Sequence, residues 1–217
     1  MTPDELLKAG SQLADRTWRL NNLYKIQNKE GLVEDFRLNW GQLELLNGLH
    51  NCNLICKARQ IGFTTFFQIF MLDAAIFNSN LRAGTIAHRL DDARVIFRDK
   101  VRFPYDNLPE ALRAARPVMR DTADELVFDN NSSIRVSTSM RSGTLQYLHI
   151  SEYGQLCARF PDKAREVRTG ARRRLSQVFR EADSDCRHRP DRWAEGLVRE
   201  EGRDAAWRHE ARVSLDA

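Results

Sequence analysis

Lys57-Ala58-Arg59-Gln60-Ile61-Gly62-Phe63-Thr64-Thr65 lies between a short apolar run, Asn53 to Cys56, and a helical pattern that continues to about Asn78. A strand, a polar loop and a helix in that order form the unit that binds phosphate at a helix N-terminus. There backbone N–H groups converge, a cation neutralises the β- and γ-phosphates and a hydroxyl holds Mg2+. Gly62 and Thr64 occupy the second-glycine and hydroxyl positions of G-x-x-x-x-G-K-[ST], but Phe63 stands where that motif has its lysine and Lys57 where it has its first glycine. The standard motif therefore fails. A lysine leaving the strand just ahead of the loop can still turn back over the same phosphates, which makes Lys57 the first candidate cation. Arg59 is the competing one, a planar fork rather than a compact ammonium. The alternative is a strand, a polar turn and a helix with no ligand.

Working outward, Arg82 to Ala87 reads as a second buried strand and Leu90 to Val101 as its following helix, with Ala93, Ile96 and Phe97 on one face. This β-α-β-α alternation predicts a parallel sheet covered by helices, with right-handed crossovers. Glu125 to Phe128 and Ser133 to Ser137 flank Asp129-Asn130-Asn131 and predict a hairpin. Leu145 to Ile150 is a further apolar strand, ending at Ser151-Glu152. The C-terminal ends of parallel strands face the ligand crevice, so Glu152 is a candidate to polarise an attacking water or to help hold Mg2+. A solvated glutamate after a strand is the alternative. Ser151 stands where a Mg2+-organising aspartate is expected. His88 and His149 have no acid partner at short spacing and read as packing residues, as do Trp18 and Trp40.

Upstream, Thr2-Pro3-Asp4-Glu5 opens a helix, with Thr2 as cap and Glu5 completing a capping box. Leu6, Leu13, Leu20, Leu23, Tyr24 and Ile26 extend the pattern towards Gly31, and a second short helix is expected from Leu43 to Leu49. The 217 residues hold 34 Lys plus Arg against 30 Asp plus Glu, a net charge of +4 that singles out no partner. That length suits one large domain, with no room for a large multidomain enzyme. The acidic start excludes an ordinary signal peptide, and Gln68 and Asp73 break the most apolar stretch, Phe66 to Phe77, which excludes a membrane span. Four cysteines, at 52, 56, 157 and 186, form no C-x-x-C pair and read as reduced intracellular thiols.

Taken together, K-A-R-Q-I-G-F-T-T at 57–65, L-H-I-S-E-Y-G at 148–154 and the Arg-Ser-Gly-Thr loop at 141–144 resemble the ATPase domain of the large terminase subunit, the DNA-packaging motor of tailed bacteriophages and prophages. The resemblance covers about residues 1–171. It implies a P-loop NTPase-like parallel sheet flanked by helices, with ATP and Mg2+ bound. It implies that Lys57 contacts the phosphates, Gln60 and Gly62 shape the loop, and Thr64 ligates Mg2+ with Thr65 as the fallback hydroxyl. Glu152 would activate the hydrolytic water, with Ser151 beside it on the metal side, and Arg141 would stabilise charge on the γ-phosphate. Gln42 would read the adenine edge. The implied partners are double-stranded DNA, the portal and the small terminase subunit, with no membrane, in a homo-oligomer in the bacterial host cytoplasm.

The composition changes at Ala171. Residues 172–217 hold 11 arginines but no Lys, Ile, Thr, Tyr or Met, and their 10 acids nearly cancel the basic charge. The expected organisation is an N-terminal helical region at 1–50 with the adenine-side motif, a partial ATPase core at 51–171, and an irregular or helical Arg-rich tail at 172–217. A frame shift near codon 171 would account for the tail, because an alternative frame of GC-rich DNA yields Arg-rich text without Lys or Ile. The other account is a helical tail with Ala205, Trp207, Ala211 and Leu215 as its apolar face. On either account the sheet would lack strands, the chain would be shorter than the motor its motifs announce, and ATP turnover would be weak or absent. A non-catalytic DNA- or partner-binding remnant of a prophage protein is the alternative function. A helicase-related ATPase shares the glutamine and phosphate-loop logic, but the chain lacks a D-E-x-[HD] acid motif.

Overall fold

The computed structural model describes residues 3–57, 61–140, 144–171, 177–183 and 211–214. Helix α1 (Pro3–Ala14) stops at Asp15, whose carboxylate accepts from the Thr17 N–H at 2.8 Å and so caps α2 (Arg16–Asn22). Thr2 lies outside the described residues. The chain does not remain helical to Gly31. Lys25–Gln27 (β1) and Val33–Asp35 (β2) pair instead as an antiparallel hairpin. Its turn is set by the Asn28 side chain, which accepts from the N–H groups of Glu30 and Leu32, and by Gly31 at φ +80°. Helix α3 (Trp40–Asn47) begins three residues earlier than its apolar pattern suggests. Asn39 and Gln42 close a reciprocal capping box there, with Gln42 N–H donating to Asn39 Oδ1 at 2.9 Å and Asn39 N–H to Gln42 Oε1 at 3.1 Å.

The core then alternates: β3 (Cys52–Lys57), α4 (Phe63–Phe77), β4 (Arg82–Ile86) and α5 (Leu90–Phe97), which runs through a π-helical turn at Arg98–Arg102 into α6 (Phe103–Asp106). After α7 (Glu110–Ala115) come β5 (Val118–Asp121), β6 (Glu125–Phe128), β7 (Ser133–Ser137) and β8 (Tyr147–Ile150), then α8 (Tyr153–Arg159) and α9 (Pro161–Ala171). Two strands follow, β9 (Gln177–Asp183) and β10 (Ala211–Ser214). Among the described residues eight strands form one sheet in the order β10-β3-β9-β8-β4-β7-β6-β5. The first six are parallel, the expected hairpin forms as antiparallel β6 and β7, and β5 extends the sheet antiparallel to β6.

Helix α4 is apolar on nearly every side because the sheet and the N-terminal helices enclose it. Phe63, Phe66, Phe67 and Phe70 are fully buried, in one cluster with the buried Leu20, Leu23, Tyr24, Phe36 and Leu45 from the first fifty residues. Along β8 the side chains alternate: His149 meets Phe67 at 5.0 Å between rings, whereas Leu148 and Ile150 join Tyr153, Leu156, Ala164 and Val167 in a second cluster under α8 and α9. Period-two alternation puts these clusters on opposite faces of the sheet. The two polar side chains that break the α4 run are both satisfied. Asp73 takes a bidentate pair from Arg19 and a hydrogen bond from Tyr24, and Gln68 bonds Thr85 and His149.

The C-terminal segment departs from the expected irregular or helical tail. Gln177–Asp183 fills the interior position between β3 and β8, in register from Cys52↔Val178 to Lys57↔Asp183 and from Tyr147↔Gln177 to Ile150↔Arg180. A strand there completes two ladders at once, and Phe179 fills an aromatic slot, 4.5 Å from the Phe67 ring and 5.7 Å from Phe70. The sheet therefore does not lack the strand next to β3. Ala211 belongs to β10 rather than to a helical face. Ala205, Trp207 and Leu215 lie outside the described residues.

Candidate functional site

All six parallel strands end on the same edge, and the register fixes which residues meet there. Leu54 is level with Arg180, Arg180 with Ile150, and Ile150 with Ile86. Cys56 and Lys57 close β3 two and three residues beyond that level, while His88 and Glu152 each follow two residues after the last paired residues of β4 and β8. β3 and β8 flank β9, so Lys57 and Glu152 leave the sheet about 10 Å apart, two strand spacings.

From β3 the chain enters the loop that ends at Gly62, the N-cap residue of α4. Gly62 adopts φ +80°, ψ +11°, a left-handed conformation that suits glycine, and a Cβ there would meet Gln42 Nε2 at 3.1 Å. Helix α4 starts with no side-chain cap, the arrangement in which an anion serves as the cap. Phe63 is fully buried in the aromatic cluster, 6.2 Å from the Phe67 ring. The position that the standard motif gives to its cation is thus core. Thr64 and Thr65 are half-buried in the first turn. Lys57 closes β3, while Arg59, Gln60 and Arg141 lie outside the described residues.

Gln42 is buried at 3% exposure and holds the loop from outside. Its Nε2 donates to the Gly62 carbonyl at 3.1 Å while Oε1 accepts from Asn39 N–H, and Asn39 Nδ2 donates to the Ile61 carbonyl at 3.1 Å. The capping box of α3 is thereby fastened to the start of α4. Reading a base edge would draw on the second N–H and second lone pair of the Gln42 amide.

At the end of β8, Ser151 is buried and its N–H donates to the Ile86 carbonyl at 2.9 Å. Glu152 follows at φ +53°, ψ +41°, left-handed for a residue with a Cβ, a conformation costing about 1–2 kcal/mol. This turn ends the strand, starts α8 and carries the Glu152 carboxylate over the sheet edge. There His88 Nδ1 lies 3.4 Å from Glu152 Oε2, and His88 Nε2 lies 3.2 Å from Asp92 Oδ2. His88 is therefore not a packing residue. Its acid partners come from the neighbouring strand's end and the first turn of α5, and only strand register could have revealed the first of them. His149 is a packing residue, fully buried with Nδ1 2.9 Å from Gln68 Nε2. Trp18 packs on the core, but Trp40 is 64% exposed and anchors nothing there.

The oxygen donors on offer to a divalent ion are the Thr64 hydroxyl in the first turn of α4 and the Glu152 carboxylate after β8. Among the described residues no group of three or more His, Cys, Asp or Glu side chains forms a metal cage. That donor set fits Mg2+ in company with phosphate oxygens and water, its usual mode, better than a resident structural metal. Cys52 is buried and Cys157 half-buried, and among the described residues no helix is long and apolar enough to cross a membrane.

The sheet order defines the class: a mostly parallel mixed α/β sheet flanked by helices. No protein-family model and no curated protein sequence matches the chain. Among solved structures it is similar to the large terminase of bacteriophage HK97, with a TM-score of 0.57 at 14% identity over 84% of this chain and 42% of that one. It also matches the large terminase ATPase domain of Thermus phage P74-26, with a TM-score of 0.49 at 16% identity over 68% of this chain and 65% of that one. The fold is that of a phage large terminase, of which the chain spans less than half in the HK97 protein.

Proposed function

We propose that this chain is an ATPase module of the terminase large-subunit kind, binding ATP with Mg2+ and hydrolysing it to drive double-stranded phage DNA into a procapsid. The observation that carries this reading is the shared edge: the end of β3 with Lys57, the uncapped α4 N-terminus behind a left-handed Gly62, and Glu152 at the end of β8. The first-turn amides of α4 and the Lys57 ammonium hold the phosphates, and the Gln42–Asn39 clasp keeps the loop's exit rigid. The Thr64 hydroxyl, Ser151 and Glu152 would hold Mg2+, which would supply neutralisation of charge on the phosphate oxygens. Glu152 orients the attacking water and accepts its proton as the new P–O bond forms and ADP departs with the bridging oxygen. Arg59, Gln60 and Thr65 complete the loop, and Arg141 stabilises the γ-phosphate charge from its own loop or towards a neighbouring subunit. The portal, the small terminase subunit and further copies of the chain are the partners, in the host cytoplasm.

A second reading, a DNA- or partner-binding remnant without turnover, is supported by Ser151 in the place of an acid and by the buried Phe63. Calorimetric titration with Mg2+-ATP separates the two. The unmodified chain binds, Lys57→Ala weakens binding at least tenfold, and Glu152→Gln binds but does not turn over. Absence of ATP binding by the unmodified chain would overturn the first reading.

A further inference from the structure

We propose that the cleft at the C-terminal end of α4 binds a monovalent carboxylate carried on an apolar body, with Arg16 as its anchor. Two guanidinium groups of α2 reach one carboxylate of α4 there. Phe70, Asp73 and Phe77 follow one another along one face of that helix. Arg16 lies over the Phe70 ring at 4.9 Å and Arg19 over the Phe77 ring at 4.2 Å. Asp73 is taken up by Arg19 and Tyr24, and Arg19 has its remaining nitrogen on the Leu13 and Ala14 carbonyls. Arg16 Nε stands 3.9 Å from Asp73 Oδ2, beyond hydrogen-bond reach, so among the described residues its fork keeps its donors. Two cations against one anion leave a surplus positive charge, and its carrier is 37% exposed. Asp15, the adjacent acid in sequence, is engaged in capping the Thr17 N–H. Helix α2 has no need of a cation at that place, because Arg16 is its first residue, where the helix dipole disfavours positive charge.

The cleft beside this guanidinium measures about 460 Å³ and is bounded by Leu13 and Ala14 at the end of α1 and by Phe77 and Asn78 at the end of α4. That is the size of a small-ligand site and several times that of a carboxylate group, so the rest of the occupant packs on Leu13, Ala14 and Phe77. A planar fork takes a carboxylate through two parallel hydrogen bonds. One surplus charge beside the carbonyl ends of two helices suits a monoanion better than a phosphate dianion. The 15 residues of α4 put the cleft about 20 Å from Gly62, apart from the strand edge that carries Lys57 and Glu152. The carboxylate belongs to a free acid or to the C-terminus of a peptide, two sources of one chemistry.

Calorimetric titration of the full chain with hydrocinnamate reads the site. The acid binds with a Kd of about 1 mM or tighter, and its uncharged amide and inorganic phosphate each bind at least roughly tenfold more weakly. Arg16→Gln lowers the affinity for hydrocinnamate roughly 10- to 100-fold, and Arg16→Lys, which keeps the charge without the fork, recovers only part of it. Ala14→Phe narrows the apolar wall, leaves Arg16 in place and lowers the affinity at least roughly tenfold. Acetyl-leucyl-phenylalanine, titrated alongside, assigns the source: tighter binding than hydrocinnamate supports a peptide C-terminus, and weaker binding supports a free acid. Equal binding of acid and amide, tighter binding of phosphate, failure of both carboxylates to bind, or an affinity unchanged in Arg16→Gln would overturn the proposal. The comparison of acid, amide and phosphate uses the unmodified chain, so it decides the matter even where a variant fails to fold.

Discussion

Replacing Asp73 with leucine removes the centre of the polar cluster that ties the N-terminal helices to α4. The carboxylate is fully buried and accepts from Arg19 Nε at 2.8 Å, Arg19 Nη2 at 2.7 Å and Tyr24 Oη at 3.0 Å. The hydrogen bond to Asp73 holds the Arg19 guanidinium above its ordinary range against the cost of burial. Taking away one partner of such a pair strands a buried charge, typically at about 3–5 kcal/mol. Two features soften the loss here. Arg19 Nη1 keeps the Leu13 and Ala14 carbonyls at 2.7 and 3.2 Å, and a cleft of about 460 Å³ lined by Leu13, Ala14, Arg16, Arg19, Phe77 and Asn78 admits water. The expected loss is therefore about 3 kcal/mol, near the low end, a Tm drop of roughly 6–12 °C for a chain of this size. Urea denaturation followed by circular dichroism and tryptophan fluorescence measures it. Arg19→Met combined with Asp73→Leu should recover at least half of the loss, because an apolar pair leaves no stranded charge. A single-variant loss below about 1 kcal/mol, or losses that simply add in the double variant, would refute the account.

Tyr24 and β9 give two further expectations. Burial first, and then the Asp73 charge, push the Tyr24 phenol well above its ordinary value of 10.0, so the neutral form is favoured in the folded chain. The raised folded value means that this contribution is whole below about pH 10 and falls away as pH climbs towards it, by up to about 1.4 kcal/mol per pH unit. Tyr24→Phe should flatten the alkaline limb of the stability curve, and an identical limb would exclude Tyr24 as its source. Phe179→Ala should cost about 3–5 kcal/mol by emptying the slot between Phe67 and Phe70. A cost below about 1 kcal/mol would show that β9 is not a packed strand and would leave the frame-shift account of residues 172–217 in possession.

What the sequence made legible was local and dense in signal. The β3-loop-α4 unit, the β4-α5 pair, the β6–β7 hairpin and β8 each carry an apolar period bounded by turn residues, and each forms within a few residues of its expected span. The edge strand β5 and the interior strand β9 were not legible. β5 is mostly exposed, and Gln177–Asp183 is a strand because β3 and β8 leave a gap for one, a cause outside its own residues. The break at Asp15 has a local signature, an N-cap two residues before Thr17, that a leucine period spanning it conceals. In the site, Gly62, Thr64 and Glu152 were proposed from chain order alone, and the structure puts Gly62 and Thr64 at the start of α4 and Glu152 at the end of β8. Gln42's grip on Gly62 spans 20 residues, and the approach of His88 to Glu152 spans 64. Contacts of that kind follow from sheet order, which no periodicity encodes.

The position of β9 also orders events in time. During synthesis β3, α4 and β8 leave the ribosome before Gln177–Asp183 exists, yet that late segment separates the two strands that carry Lys57 and Glu152. Until it inserts, β3 and β8 have either an open ladder between them or the wrong neighbour, and the two candidate site residues stand about 5 Å too close or at no fixed distance. Such long-range parallel closure is intrinsically slow. The ends of β3 and β8 thus acquire their spacing only after Gln177–Asp183 has entered the sheet between them.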